Sequence, residues 1–317
     1  MVAIRDDVGR WWASPAARAM VFVLLAALVF HGLLLFGRLN SRDDAFVDHG
    51  FRSWAAMATF SFAVWIALLG RGIAAVRALP ASWRRGRRWW LASLASYAVL
   101  MLAASAMLGG VTQGNSFDVP IRHFATVIGL LTAVGAAAAA PWVVSVWLAQ
   151  ERVREAAERE TPSDGAADPA VIAAAVADVM AVWRVIERSG LALSLIVSTS
   201  AFNTGALRLG LIGSGAVEPA DFPPVFVLGY GAFFTAVLVA VQLPLVLAWR
   251  ARAFTLVERA LPAPDSGLLG EDLFAARSRM EAQLHVDARF LRNPIAVLSV
   301  ASPFATALVT VLVPNGA

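Results

Sequence analysis

The chain has no cysteine and no lysine, and each absence excludes a class of chemistry. Without cysteine there is no disulfide, no thiolate nucleophile, no cysteine-ligated zinc and no iron–sulfur cluster. Without lysine there is no amine for a Schiff base, which excludes a retinal protein. All 26 basic residues are therefore arginines, and together with the many alanines they indicate a bacterial genome rich in G and C.

Charge is also scarce, and apolar residues take its place. Charged residues make up 15% of the chain and hydrophobic residues 59%, whereas soluble domains contain about 25% and 45–50%. The apolar residues form seven blocks, each long enough to cross a hydrocarbon core of about 30 Å. We therefore predict an all-α fold, a polytopic integral membrane bundle of about seven transmembrane helices in a single domain over residues 1–317. The spans are predicted at about 19–37, 54–70, 89–111, 124–150, 190–213, 225–249 and 294–314.

The arginines predict the orientation of this bundle, because cytoplasmic loops carry an excess of basic residues. With the N-terminus inside, only five of the 26 arginines fall on the outer side: Arg38, Arg42, Arg52, Arg122 and Arg208. The N-terminus is therefore predicted to be cytoplasmic and the C-terminus external, in the cytoplasmic (inner) membrane of a bacterium. Seven tryptophans near the cytoplasmic ends of the spans predict an aromatic belt at that interface. They are Trp11, Trp12, Trp83, Trp89, Trp90, Trp147 and Trp249.

Two long cytoplasmic loops, 151–189 and 250–293, are predicted to contain amphipathic helices. In the first loop, Asp168 and Pro169 form a helix start with a cap and a first-turn proline. The apolar residues that follow recur at spacings of three and four, so this helix should lay one face on an apolar surface. That stripe is Ile172, Val176, Val179, Trp183 and Ile186. In the second loop a charged helix is predicted from about Glu271 to Arg292.

Polar residues form stripes on two of the predicted spans. Ser200, Thr204 and Arg208 recur at intervals of four in the fifth span, with Asn203 beside them. In the seventh span a hydroxyl stripe consists of Ser299, Ser302, Thr306 and Thr310, and Tyr230 and Gln242 of the sixth could face the same space. One interpretation is a ligand site or pore in which Arg208 supplies positive charge. The other is close helix packing through small polar residues.

No acidic residue falls inside a predicted span, which argues against pumps and ion-coupled transporters. The predicted function is therefore a channel or uncoupled permeation protein for an ion or small solute. The alternative is a membrane sensor, effector or assembly component that acts through its cytoplasmic helices. No nucleotide-binding or nucleophile motif occurs, so nothing indicates an enzyme, and no cofactor is predicted.

Two further groups of residues have the composition of binding sites. Arg84, Arg85, Arg87 and Arg88 lie between tryptophans at a cytoplasmic helix end, where anionic lipid headgroups are a commoner partner than nucleic acid. His31, His49 and His123 share the outer side with aspartates, but their spacing matches no metal motif, so no metal site is predicted. The expected partners are the anionic bilayer and either a second copy of the chain or another membrane protein, and no nucleic acid.

Overall fold

The structure is a computed structural model that describes residues 15–83, 85–112, 119–159, 168–262, 264, 270–286, 305, 307 and 308. The described elements are almost all helical. They are α1 (Pro15–Asn40), a π-helical turn (Phe46–Phe51), α2 (Arg52–Arg77), a 3-10 turn (Ala81–Trp83), α3 (Arg87–Thr112), α4 (Phe124–Arg159), α5 (Pro169–Gly213), α6 (Pro224–Ala260) and α7 (Glu271–Gln283).

Among the described residues, six helices, α1 to α6, are long and apolar enough to cross a membrane. The predicted all-α integral membrane bundle is thereby confirmed. The predicted seventh span, 294–314, lies outside the described residues except at positions 305, 307 and 308, which are helical. Of these, Ala307 is fully buried and packs into the hydrophobic core of the bundle.

Three of the helices are much longer than the roughly 20 residues that cross a bilayer. α4, α5 and α6 contain 36, 45 and 37 residues. The sequence predicted a separate helix before a span at 190–213, but both belong to α5, which is about 67 Å long at 1.5 Å per residue. α5 starts where predicted, because the Asp168 side chain accepts a hydrogen bond from the Ala170 N–H at 2.9 Å.

The centre of the bundle is formed by α2, α4, α5 and α6, in which α4 and α5 each pack on the other three helices. α1 packs on α2, and α3 packs on α4. At the end where α5 finishes, the π-helical turn crosses α5 at two glycines. A Cβ on Gly210 would lie 2.7 Å from the carbonyl oxygen of Gly50, so the two backbones are in direct contact. Beside them, Phe51, Trp54 and Phe124 form a buried aromatic cluster.

A second hydrophobic core lies at the other end, which we call the basic end: α2, α4 and α6 finish there and α5 begins. The Trp183 ring packs 4.6 Å from that of Trp249 and stacks at 5.3 Å on His285. Of the predicted apolar stripe, Val179, Trp183 and Ile186 are buried, while the other two, Ile172 and Val176, are partly buried against the same core. The prediction that this segment docks its apolar face is therefore confirmed.

Two tryptophans of the predicted aromatic belt are instead part of this core. Trp83 and Trp249 are only 2% and 3% exposed, so they do not face lipid headgroups. The Trp83 indole N–H donates a hydrogen bond to Asp178 of α5 at 3.4 Å. The belt prediction is wrong for these two residues, because the extended helices α5 and α6 cover the positions where lipid was expected.

The predicted end of α7 is also wrong. The helix stops at Gln283, because His285 adopts a left-handed conformation with φ of 57°. The amide of Val286 donates to the Glu281 carbonyl at 2.9 Å, and the amide of His285 donates to the Ala282 carbonyl at 3.1 Å. This pair of bonds is a common way to end a helix and reverse the chain. Here it carries Leu284 and Val286 into the basic-end core.

Candidate functional site

A cavity of about 300 Å³ lies in the membrane-spanning part of the bundle and is lined by residues of α2, α3, α4, α5 and α6. Most of its described lining residues are aliphatic or aromatic. The exceptions carry hydroxyl or carboxamide groups, and no described lining residue is charged. These polar lining residues are Tyr97, Thr132, Ser200, Asn203, Thr204 and Tyr230. A mostly apolar pocket with a few convergent polar groups is the usual form of a small-molecule site.

The polar side of the cavity comes mainly from α5. Asn203 and Thr204 follow Ser200 by three and four residues, so the three side chains share one helical face. The Ser200 hydroxyl donates to the Ile196 carbonyl at 3.0 Å, and that of Thr204 donates to the Ser200 carbonyl at 3.1 Å. Both hydroxyl protons are thus used within α5, which leaves the oxygens as acceptors toward the cavity. Tyr230 of α6 interacts with the Ser200 hydroxyl.

A second polar face of α5 packs against α2. The Trp65 indole N–H donates to the Thr199 hydroxyl at 2.9 Å, and the Ser61 hydroxyl donates to the Thr199 carbonyl at 3.1 Å. These three residues are buried or nearly so, and they bond helix to helix. Packing between helices therefore accounts for the Thr199 face of α5, while Ser200, Asn203 and Thr204 line the cavity on an adjacent face.

Asn203 differs from its polar neighbours because its hydrogen-bonding capacity is not used. The side chain is only 8% exposed and lines the cavity, yet its Oδ1 has no hydrogen-bond partner. The buried indole nitrogen of Trp54, another lining residue, also lacks a partner. Buried polar atoms are normally paired, so these two lining residues are exceptions to that rule.

Two predicted site residues lie elsewhere. Arg208 is 5% exposed and is not among the described lining residues; its Nε donates to the Phe222 carbonyl at 2.7 Å and so ties α5 to the loop before α6. Gln242 is not among the described lining residues, although its neighbour Val241 is. Its Nε2 instead donates to the Ser189 hydroxyl of α5 at 2.9 Å.

The hydroxyl stripe of the predicted seventh span lies outside the described residues. These positions are Ser299, Ser302, Thr306 and Thr310.

Apart from Tyr230, sequence reasoning did not select the aromatic residues of the wall. Trp54, Trp65, Tyr97 and Phe234 all line the cavity. Trp65 and Tyr97 fall well inside predicted spans, whereas tryptophan and tyrosine usually sit at the membrane interfaces. Their depth in the spans was a signal that could have identified them. The Tyr97 hydroxyl donates to the Ala136 carbonyl at 2.6 Å, which fixes α3 against α4 at the cavity.

The arginine cluster at the basic end divides into paired and exposed members. Arg85 forms an ion pair with Glu155 of α4, while Arg87 and Arg88 are exposed and Arg84 lies outside the described residues. A second ion pair at this end joins Arg152 and Asp178 at 3.0 Å. Lipid headgroup contact therefore stays a prediction that rests, among the described members, mainly on Arg87 and Arg88.

Two of the three histidines that the sequence predicted on the outer side have described side chains. His31 is exposed, and its Nδ1 donates to the Ala27 carbonyl of its own helix at 2.8 Å. His123 is also exposed, and the His49 side chain is outside the described part of the chain. Within the described residues, no three histidine, aspartate or glutamate side chains come together as a metal site would require.

The six apolar helices define the class of this protein: it is a multi-pass integral membrane protein. No protein-family model, curated protein or solved structure matches the chain. Any more specific function must therefore be argued from the cavity itself.

Proposed function

We propose that the protein is an uncoupled permeation protein for a small solute without net charge. The observation that carries this proposal is the cavity, which gathers Ser200, Asn203, Thr204 and Tyr230 in the membrane-spanning part of the bundle. These residues offer neutral hydrogen-bonding groups where lipid would offer none. A polar solute that loses water on entering the bilayer would recover part of its hydrogen bonding there.

The electrostatics of the wall favour an uncharged solute over an ion. No described lining residue is charged, and an ion in a low-dielectric cavity needs an opposite charge or many dipoles around it. Arg208, which the sequence suggested as an anion-attracting group, is occupied with the Phe222 carbonyl. The absence of carboxylates from the predicted spans also favours passage that is not coupled to protons or sodium.

Flux into proteoliposomes tests the proposal directly. Purified protein should accelerate the entry of glycerol and acetamide, both uncharged, and leave chloride and potassium entry at the level of empty liposomes. Stopped-flow light scattering measures the uncharged solutes, and ion-selective electrodes measure the ions under an applied potential. No acceleration of either uncharged solute, or faster chloride entry than glycerol entry, would contradict the proposal.

A blocking variant connects flux to the cavity. Thr204→Trp places an indole in the cavity wall and should reduce glycerol entry to near the liposome background. Leu195→Trp is the matched control, because Leu195 lies on the same helix, is 42% exposed and is not a lining residue. Equal flux through both variants would show that solute does not pass through this cavity.

One observation supports a second candidate, a membrane sensor. α5 runs without a break from the cavity wall at Ser200 to the basic-end core at Trp183. A ligand in the cavity could therefore displace that core as a rigid extension of the same helix. If liposome flux is absent but acetamide changes hydrogen exchange of residues 169–188, the sensor replaces the permeation protein.

A further inference from the structure

The chemistry of the cavity wall identifies a class of ligand, an inference that rests on the proposed function of the same cavity. We propose that the cavity binds an uncharged amphipathic molecule with an apolar body and a head group that both donates and accepts hydrogen bonds. The head is a carboxamide or a hydroxyl group, and the Asn203 carboxamide recognises it.

The polar groups that line the cavity differ in whether their hydrogen bonds are already made. Thr204 and Ser200 donate their hydroxyl protons within α5, and the Tyr97 hydroxyl donates to the Ala136 carbonyl. In contrast, Asn203 is 8% exposed and its Oδ1 lacks a partner. A buried carboxamide oxygen without a partner is costly. Because this oxygen has almost no accessible surface, the carboxamide must turn toward the cavity before a ligand head can bond to it and remove that cost.

The carboxamide of Asn203 also specifies what the head must offer. It has one acceptor oxygen and one nitrogen with two donor protons. A head that only accepts, such as a ketone, can use the nitrogen and leaves the oxygen unpaired. A primary amide can bond to both atoms at once, and a hydroxyl can donate to the oxygen.

The rest of the wall suits an apolar body. Trp65, Leu131, Phe234 and Leu238 are among the aromatic and aliphatic side chains that surround the polar face. The volume of about 300 Å³ lies at the lower end of the range for small-molecule pockets. A single ring or a short branched chain with one polar head fits this combination of size and surface.

Benzamide and acetophenone are probes that separate the head from the body. Both contain a phenyl ring and a carbonyl group. Benzamide carries an amino group that donates hydrogen bonds, whereas acetophenone carries a methyl group that does not. We expect the full-length protein in lipid nanodiscs to bind benzamide about tenfold more tightly than acetophenone, because only benzamide satisfies the Asn203 oxygen. Titration calorimetry measures both affinities after subtraction of the heats in empty nanodiscs.

Two variants assign the preference to one residue. Asn203→Leu should bring the ratio of the two affinities close to one. Thr235→Val should keep it near that of wild type, since Thr235 is not among the described lining residues and its hydroxyl donates to the Gly231 carbonyl within α6. A ratio near one in wild type overturns the proposal whatever the variants do, and so does a preference that survives in Asn203→Leu. Tight benzamide binding without glycerol flux would support this inference and contradict permeation. Glycerol flux without a preference for benzamide would support permeation and contradict this inference.

Discussion

The role assigned to Arg208 changes once its hydrogen-bond partner is known. An arginine within an apolar span is a functional hypothesis by default, because charge in the membrane is costly. Here the guanidinium donates to a backbone carbonyl in the loop that leads into α6, and the side chain is almost fully buried. The residue therefore fixes the connection between α5 and α6, and its charge does not face the described cavity wall.

Replacing Arg208 by alanine should lower stability without changing solute selectivity. Arg208→Ala leaves the Phe222 carbonyl without its donor and removes a buried side chain, at a cost of about 2 kcal/mol. Denaturant unfolding in mixed micelles measures the loss. Arg122→Ala, at an exposed arginine near the same end, should stay within about 0.5 kcal/mol of wild type. Unchanged stability together with altered chloride flux in Arg208→Ala would restore the anion-site interpretation.

At the scale of elements, α5 organises the molecule by using its faces differently. One face bonds to α2 through Thr199, a second lines the cavity through Asn203, and its last turns meet the π-helical turn at Gly210. The Gly50–Gly210 contact sets how closely the turn approaches α5, because any side chain at either position would overlap the opposite backbone. The aromatic cluster around Trp54 follows directly after this turn.

Gly210→Ala should therefore destabilise the bundle even though alanine is the better helix former. The added Cβ would lie 2.7 Å from the Gly50 carbonyl oxygen, and backbone cannot move aside as a flexible side chain can. We expect a loss of about 1–3 kcal/mol. Gly229→Ala in α6 is the control, since nothing lies within 4 Å of the position that its Cβ would take, and it should be neutral or gain about 0.5–1 kcal/mol. Thermal unfolding that ranks the two variants in the opposite order would refute the close contact.

At the scale of the whole molecule, the orientation in the membrane is a proposal that the arginine distribution supports. The basic end carries Arg85, Arg87, Arg88 and Arg152, and we propose that it faces the cytoplasm. Reporter fusions after Arg88 and after Glu160 should give cytoplasmic signals, and a fusion at Asp44 an external one. An external signal from the fusion after Glu160 would overturn the proposed orientation of α4 and α5.

How much of this molecule could be predicted from its sequence depended on the range of the interactions involved. Hydropathy and helix period are local, so they located the six described spans, the start of α5 at Asp168 and the shared face of Ser200 and Thr204. Partners that are distant in the chain were not accessible in this way. The bond from Arg208 to Phe222 and the burial of Trp249 both depend on how helices meet, which no periodicity encodes.

The measurement that tests the central claim most directly is the chemical accessibility of α5, and the absence of native cysteine makes it feasible. Single cysteines at Ser200, Thr204 and Ser198 can each be exposed to N-ethylmaleimide in intact membranes. Ser198 is 8% exposed and is not among the described lining residues. If the polar face of α5 lines a cavity that solutes enter, Ser200→Cys and Thr204→Cys should be labelled and Ser198→Cys should not. Equal labelling of all three, or none at Thr204→Cys and Ser200→Cys, would contradict the account.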